Sequence, residues 1–297
     1  MAFLEPRPET GTGIASPQRV WDAIMLECGL LFMLALVLEG LAVSLPTALR
    51  APGNLLIALL PALFWLLNSW WRGGYQSRLR FAATGCAVIT GLLCNALCLP
   101  LIKNLFEVHR WLPLADAVTR ILGYSLTAGL TQALAVWFVV RFAVPRRELT
   151  ERLDLLVCCR AAATGYVLVT VIDFALNTGP TASALAVHVF NQTAALNCVA
   201  IIVSYALAEL YFRRELFLPM PMLATALAAF VSGSAIPLVS GLGNASLSSL
   251  QPVSDTRPLF GSFYSLGLLL AVLVVFRFLS ANAGAGSAPA PDSDGAS

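Results

Sequence analysis

The stretch that decides the fold is residues 155–212, LLVCCRAAATGYVLVTVIDFALNTGPTASALAVHVFNQTAALNCVAIIVSYALAELYF. It contains two long apolar runs, at about 155–176 and 184–212, separated by the short polar sequence NTGPT. Each run reaches the roughly 20 residues with which an α-helix crosses a hydrocarbon layer of about 30 Å. Because the connection is so short, we predict two antiparallel transmembrane helices that lie side by side.

Six further segments have the same apolar character, at about 24–45, 54–71, 81–102, 118–140, 218–238 and 259–279. The whole chain of 297 residues is 58% hydrophobic and only 11% charged, whereas soluble domains carry about 25% charged residues. Backbone polar groups inside a bilayer must be satisfied within their own segment, which favours helices. We therefore predict an all-α, polytopic transmembrane bundle of about eight helices.

The distribution of basic residues predicts the orientation of the bundle, because Lys and Arg are enriched in cytoplasmic loops. Of the 18 basic residues, 12 fall on one side of the predicted spans and 5 on the other, with Arg160 inside a span. The richer side holds Arg7, Arg19, Arg72, Arg78, Arg80, Arg141, Arg146, Arg147, Arg152, Arg213, Arg214 and Arg277. With an even number of helices, both termini are then cytoplasmic.

Three regions follow from this division of the chain. Residues 1–23 form a cytoplasmic N-terminal segment without the apolar run and cleavage site of a signal peptide. Residues 24–279 form the transmembrane domain. Residues 280–297 are mostly Ala, Gly, Ser, Pro and Asp, and we expect them to form a disordered cytoplasmic tail. We expect the protein to be a multi-pass protein of a bacterial inner membrane.

Ionisable side chains inside the predicted spans are the strongest functional candidates, because such a group costs about 2.5–3.5 kcal/mol at the bilayer centre. They are Glu27, Glu39, Arg160, Asp173, His188 and Glu209. In the hairpin of residues 155–212, positions whose numbers sum to about 361 lie at equal depth. Asp173 and His188 meet this condition, and we predict that they pair. Arg160 and Glu209 miss it by about eight residues, roughly 12 Å along a helix, and are a candidate structural ion pair.

The predicted pairs have both structural and functional interpretations. They would hold the hairpin together, or Arg160 and Glu209 would each extend separately to the membrane surface. Functionally, Asp173 and His188, with Asn191 and Gln192 one turn further along, form a candidate polar site for a proton or a ligand. A metal site needs about three ligands in one place; Glu39 is a possible third, and His109, in a predicted outer loop, could approach only if that loop folds inward. We expect no metal and no cofactor.

Small residues in the same spans predict close helix packing. Gly233 and Gly241 flank a stretch of small residues in and after the seventh span, a composition typical of tightly crossing transmembrane helices. All seven cysteines lie in apolar runs, and we interpret them as small buried hydrophobic residues.

Four segments, in order along the chain, resemble the PrsW-type intramembrane metalloproteases, a family related to the CAAX-processing proteases. They are Asn54–Arg72, Thr127–Arg147, Leu153–Tyr166 and Asn197–Phe212. The first is similar to an early helix of the family that ends in an aromatic residue followed by a basic one, and the second to a helix with two adjacent glutamates followed by a basic loop. The third is similar to a helix that begins with Asp and contains Gly followed by an aromatic residue. The fourth is similar to a later helix in which a His precedes a Gly-Tyr pair. The resemblance implies a helical membrane protein.

The departures from this family are at its catalytic positions. Thr131-Gln132-Ala133-Leu134-Ala135 replaces Glu-Glu-x-x-Lys, Thr170-Val171 replaces Glu-Asn, and Leu196 or Asn197 replaces the His. The metal ligands and general base of the family therefore have no counterpart here. The resemblance implies a pseudoprotease, a member without the protease chemistry.

Three functions follow as alternatives. The first is a non-catalytic, PrsW-like membrane protein that binds a lipid or another membrane protein, a second copy of itself included. The second is a small transporter, a channel or a subunit of a larger membrane complex, with a polar site at Asp173 and His188. The third is a membrane enzyme, an intramembrane protease with an atypical site. The net charge of +2 and the absence of a basic cluster exclude nucleic acid as an expected partner.

Overall fold

The computed structural model describes residues 17–41, 46–71, 77–212, 219–239 and 258–285. Within these residues the chain is helical and forms no β-strand. Eight of the described helices are long and apolar enough to cross a membrane. The prediction of an all-α, polytopic bundle is confirmed, and the protein is an integral multi-pass membrane protein.

The eight helices are numbered in chain order. They are α1 Pro17–Gly40, α2 Thr47–Trp71, α3 Ser77–Leu93 with its π-helical continuations Cys94–Cys98 and Leu101–Leu105, α4 Ala117–Tyr124 with π-helical Ser125–Gly129 and then Leu130–Ala143, α5 Arg152–Thr178, α6 Ala182–Phe212, α7 Pro219–Val239 and α8 Pro258–Ala285. Between α3 and α4 lie a one-turn helix, Val108–Trp111, and a 3-10 turn, Leu112–Leu114. A second 3-10 turn, Arg146–Glu148, follows α4.

Two helices extend past the predicted ends of the transmembrane domain at residues 24 and 279, although the apolar span of the last helix ends at Leu279. Helix α1 begins at Pro17 rather than near residue 24, and α8 ends at Ala285 rather than near residue 279. Hydropathy identifies only the apolar part of a helix, whereas the backbone hydrogen bonds of the helix continue into the polar residues at its ends. The remaining parts of the predicted N-terminal segment and tail, 1–16 and 286–297, lie outside the described residues.

Helices α5 and α6 form the centre of the bundle. Within their spans 72% and 78% of the residues are buried by protein, against 22–50% in the other six. A capping box between Glu151 and Asp154 starts α5, and Gly179 ends it in the left-handed conformation, at φ 54°. This conformation is open to glycine at no steric cost, so the chain turns tightly and α6 packs back on α5.

Glycines allow two pairs of helices to cross at very short distance. A Cβ on Gly165 of α5 would overlap the backbone of Ala87 in α3. Likewise, a Cβ on Gly129 of α4 would overlap Ala229, and one on Gly233 of α7 would overlap Ser125. The predicted role of Gly233 in close packing is confirmed, while Gly241 lies outside the described residues. All seven cysteines are buried and none forms a disulfide, as expected.

Candidate functional site

The carboxylate of Asp173 contacts α3 and not α6. Lys103 Nζ lies 2.6 Å from Asp173 Oδ2 and 2.7 Å from Oδ1, and Asn177 Nδ2 donates to Oδ1 at 2.8 Å. The predicted pairing of Asp173 with His188 is therefore wrong. The two residues are at similar depth, but successive residues of a helix point about 100° apart, and it is Phe174 that faces α6.

The imidazole of His188 lies flat against an aromatic ring. It stacks on Phe174, with ring centroids 4.1 Å apart and an interplanar angle of 24°. The rule that residues whose numbers sum to about 361 lie at equal depth is here called the depth rule. It placed His188 at the correct level of α5, one residue away from its actual neighbour, Phe174.

The predicted pair of Arg160 with Glu209 is also wrong. Arg160 Nη2 donates to Glu27 Oε2 in α1 at 2.5 Å, and Arg152 Nη1 donates to Glu209 Oε1 at 2.7 Å. The numbers 152 and 209 sum to 361, so the depth rule identifies Arg152 as the residue level with Glu209. Arg160 lies two turns deeper and needs a partner from another helix.

The pair of Arg160 and Glu27 is buried between the helices. Each side chain is 5% exposed, and next to Glu27 the Cys28 thiol accepts a hydrogen bond from Asn197 Nδ2 at 3.4 Å. Both α1 and α5 start at the end of the bundle that carries Arg141, Arg147 and Arg152, here called the basic end. The two residues lie at comparable distance from their helix starts, which is the sequence signal for their pairing.

A cavity of about 290 Å³ lies between α4, α5, α6 and α7, in the half of the bundle away from the basic end. We call it the polar cavity. It is lined by Gln132, Phe174, Ala184, Val187, His188, Asn191, Gln192, Ala195, Ser232, Ala235, Ile236 and Val239. Three of the four predicted site residues, His188, Asn191 and Gln192, share it, whereas Asp173 does not line it.

Two amide oxygens of the polar cavity lack a hydrogen-bond partner among the described residues. Asn191 Nδ2 donates to Ser262 Oγ in α8 at 3.3 Å, which leaves Asn191 Oδ1 unbonded. Gln132 Oε1 is buried and unbonded as well. The two side chains are only 7% and 5% exposed. A buried polar atom left without a partner costs about 1–3 kcal/mol, so a hydrogen-bond donor that reached either oxygen would stabilise it.

Sequence reasoning missed Gln132 and Ser232, which enter the polar cavity from α4 and α7. Gln132 lies three residues after the end of the π-helical segment Ser125–Gly129. A π turn carries an extra residue and so rotates the residues after it about the helix axis. The available signal was an amide in an otherwise apolar span, but nothing in the sequence showed which helices meet α6.

Metal binding gains no support from the side chains that the structure describes. Among the described residues no three or more His, Cys, Asp or Glu side chains lie together as metal ligands. His188 has an aromatic neighbour, and Asp173 is held by a lysine and an amide.

Comparison with known proteins identifies no relative of this chain. No family model, no curated protein and no solved structure matches the chain.

Proposed function

We propose that this protein binds an uncharged amphiphile, a lipid or lipid-like molecule with a hydroxyl or amide N–H in its head, in the polar cavity. The observation that carries the proposal is the pair of buried amide oxygens on Asn191 and Gln132, both without a partner among the described residues, at a partly open cavity of an apolar bundle. A ligand donor that reaches these oxygens satisfies them, and the apolar lining accepts the rest of the molecule.

The lining of the polar cavity supports an uncharged ligand. Among the described residues that line it there is no Asp, Glu, Lys or Arg, and the polar ones are two glutamines, an asparagine, a serine and His188. A charged head would lose its hydration there without gaining an opposite charge. The nearest carboxylate along the chain, on Asp173, already has Lys103 as its partner.

The wider setting of this proposal rests on the sequence alone. The resemblance to the PrsW-type family without its catalytic residues supports a non-catalytic binding protein. The basic residues support cytoplasmic termini, and we propose the bacterial inner membrane as its location. A topology reporter fused to each terminus tests the orientation. Activity of a reporter that works only on the non-cytoplasmic side of the membrane contradicts it.

Equilibrium binding to the full chain in phosphatidylcholine nanodiscs tests the proposed function. The probe is a radiolabelled monoacylglycerol, and a fatty acid of the same chain length is the charged comparison. We expect saturable binding of the monoacylglycerol and none of the fatty acid. Because a lost hydrogen bond is worth about 0.5–1.5 kcal/mol, Asn191→Leu and Gln132→Leu should each weaken binding by roughly 2- to 10-fold.

The matched control is Asn95→Leu, which removes an amide from the exposed face of α3 and should leave binding unchanged. Binding that does not saturate, or that is equally strong in the Asn191 and Gln132 variants, contradicts the proposal. Equal binding of the fatty acid contradicts the uncharged ligand class.

A further inference from the structure

A second concavity lies at the basic end, against the outer surface of α3. It has a volume of about 600 Å³ and is lined by Phe81, Ala82, Gly85, Ile89, Ala143, Pro145, Arg147 and Glu148. We call it the basic-end groove. Its α3 residues lie on one helix face, and Phe81 is only four residues from the start of the helix, roughly 6 Å. The groove therefore lies at the level of lipid head groups and of the first carbons of the acyl chains.

The groove combines an apolar floor with two opposite charges at its rim. Phe81 is 81% exposed, and Ala82, Ile89 and Ala143 continue the apolar surface. Arg147 and Glu148 are adjacent in the chain, so their Cα atoms are about 3.8 Å apart. Neither side chain makes a hydrogen bond or an ion pair within the described part of the chain.

The neighbouring arginines are engaged elsewhere. Arg141 Nη1 donates to the Tyr211 hydroxyl at 2.9 Å, and the Arg146 guanidinium lies 5.0 Å from the centre of the Tyr211 ring. Arg147 differs from both because it lines the groove and its guanidinium has no ion-pair partner among the described residues.

We propose that the basic-end groove binds one phospholipid with a phosphate and a primary ammonium in its head, as in phosphatidylethanolamine. Arg147 holds the phosphate through two N–H donors, a geometry in which guanidinium matches phosphate oxygens. The Glu148 carboxylate accepts hydrogen bonds from the ammonium. The acyl chains lie over Phe81, Gly85 and Ile89. This site is at the opposite end of the bundle from the polar cavity and does not depend on the proposed function.

Charge complementarity selects this occupant over other lipids. A purely anionic phospholipid pairs with Arg147 but places its negative head beside Glu148. A phosphatidylcholine head carries a methylated ammonium that cannot donate to a carboxylate. The gain or loss of one charge-assisted contact changes the affinity about tenfold.

Native mass spectrometry of the full chain in mild detergent tests this site. The probes are dioleoyl phosphatidylethanolamine, phosphatidylcholine and phosphatidylglycerol, added singly and as an equimolar mixture. We expect one tightly bound phosphatidylethanolamine, preferred about tenfold over the other two. Glu148→Gln should remove the preference over phosphatidylcholine, and Arg147→Gln should weaken binding of all three lipids.

Gly85 offers a variant that projects into the groove, since a Cβ there would meet no atom within 4 Å. Gly85→Leu should abolish the bound lipid. Gly267→Leu is the matched control, because Gly267 of α8 is equally unobstructed, and it should change nothing. Equal affinity for the three lipids, a preference for phosphatidylglycerol, or an unaltered preference in Glu148→Gln overturns the proposal. A protein dimer that Gly85→Leu separates overturns it as well.

Discussion

Arg160 in α5 donates a hydrogen bond of 2.5 Å to Glu27 in α1, and both side chains are 5% exposed. Because a charge is expensive inside a bilayer, each group makes the other tolerable at this depth. The contact connects the first helix of the chain to the central pair α5 and α6.

This relationship predicts that the single and double variants differ sharply. Glu27→Leu leaves the Arg160 guanidinium buried without a carboxylate, and we expect a loss of about 3–5 kcal/mol in the free energy of unfolding. The double variant Glu27→Leu/Arg160→Leu should recover most of that loss, because two apolar side chains replace the pair. Thermal unfolding of the purified variants provides the double-mutant cycle. Equal losses in the single and double variants contradict the pairing.

The pair of Lys103 and Asp173 should contribute far less. Its side chains are 45% and 27% exposed, and ion pairs open to solvent are worth about 0–1 kcal/mol. Lys103→Met keeps the apolar stem of the side chain and should lower the unfolding free energy by no more than about 1 kcal/mol. A loss as large as that of Glu27→Leu would contradict the prediction that this exposed pair contributes little.

Gly165 should not tolerate even one methyl group. The backbones of α3 and α5 meet there, and a Cβ would overlap Ala87. Gly165→Ala should therefore lower the yield of monodisperse protein in detergent. Gly29→Ala is the control, since a Cβ at Gly29 has no atom within 4 Å, and the better helix propensity of alanine should make it neutral or stabilising. Equal behaviour of the two variants would mean that α3 and α5 do not approach closely.

Asp116 caps α4 and predicts a pH dependence outside the membrane spans. Its carboxylate accepts hydrogen bonds from the Thr119 hydroxyl, at 2.5 Å, and from two backbone N–H groups. The Thr119 hydroxyl contributes most to lowering the pKa of Asp116 from its ordinary value of 3.8. A lowered pKa in the folded state adds stability above pH 3.8 that is lost as the pH falls through the folded-state pKa.

The melting temperatures of wild type and Asp116→Ala should therefore differ at pH 6 and converge below pH 3.8. Asp116→Asn still caps the helix without titrating, so its difference from Asp116→Ala should persist in acid. A wild-type advantage over Asp116→Ala that remains unchanged below pH 3.8 contradicts a contribution of the Asp116 charge to the cap.

Hydropathy alone predicts the eight spans, because membrane insertion depends on length and apolar character, both of which are local properties. It also predicts the hairpin of α5 and α6, whose short turn leaves no other arrangement. The partners of Arg160 and Asp173 are not local. They depend on α1 and α3 packing against α5, and on which face of α5 each residue occupies.

The polar cavity shows the same division between local and non-local information. His188, Asn191 and Gln192 are spaced on one face of α6, and the sequence is sufficient to identify them as a group. Gln132 joins them through a π turn in α4, and Ser232 through the close crossing of α4 and α7 at Gly129 and Gly233. Neither the π turn nor the crossing partner is visible in a hydropathy pattern.

The most direct test of the central claim is photolabelling by a monoacylglycerol that carries a diazirine near its head group. We predict that, in nanodiscs, the labelled residues fall in 184–195 of α6, 232–239 of α7 and around Gln132 of α4, and that an excess of unlabelled monoacylglycerol removes the label. Label spread over the lipid-facing surfaces of α2 and α3, and unaffected by the competitor, would contradict it.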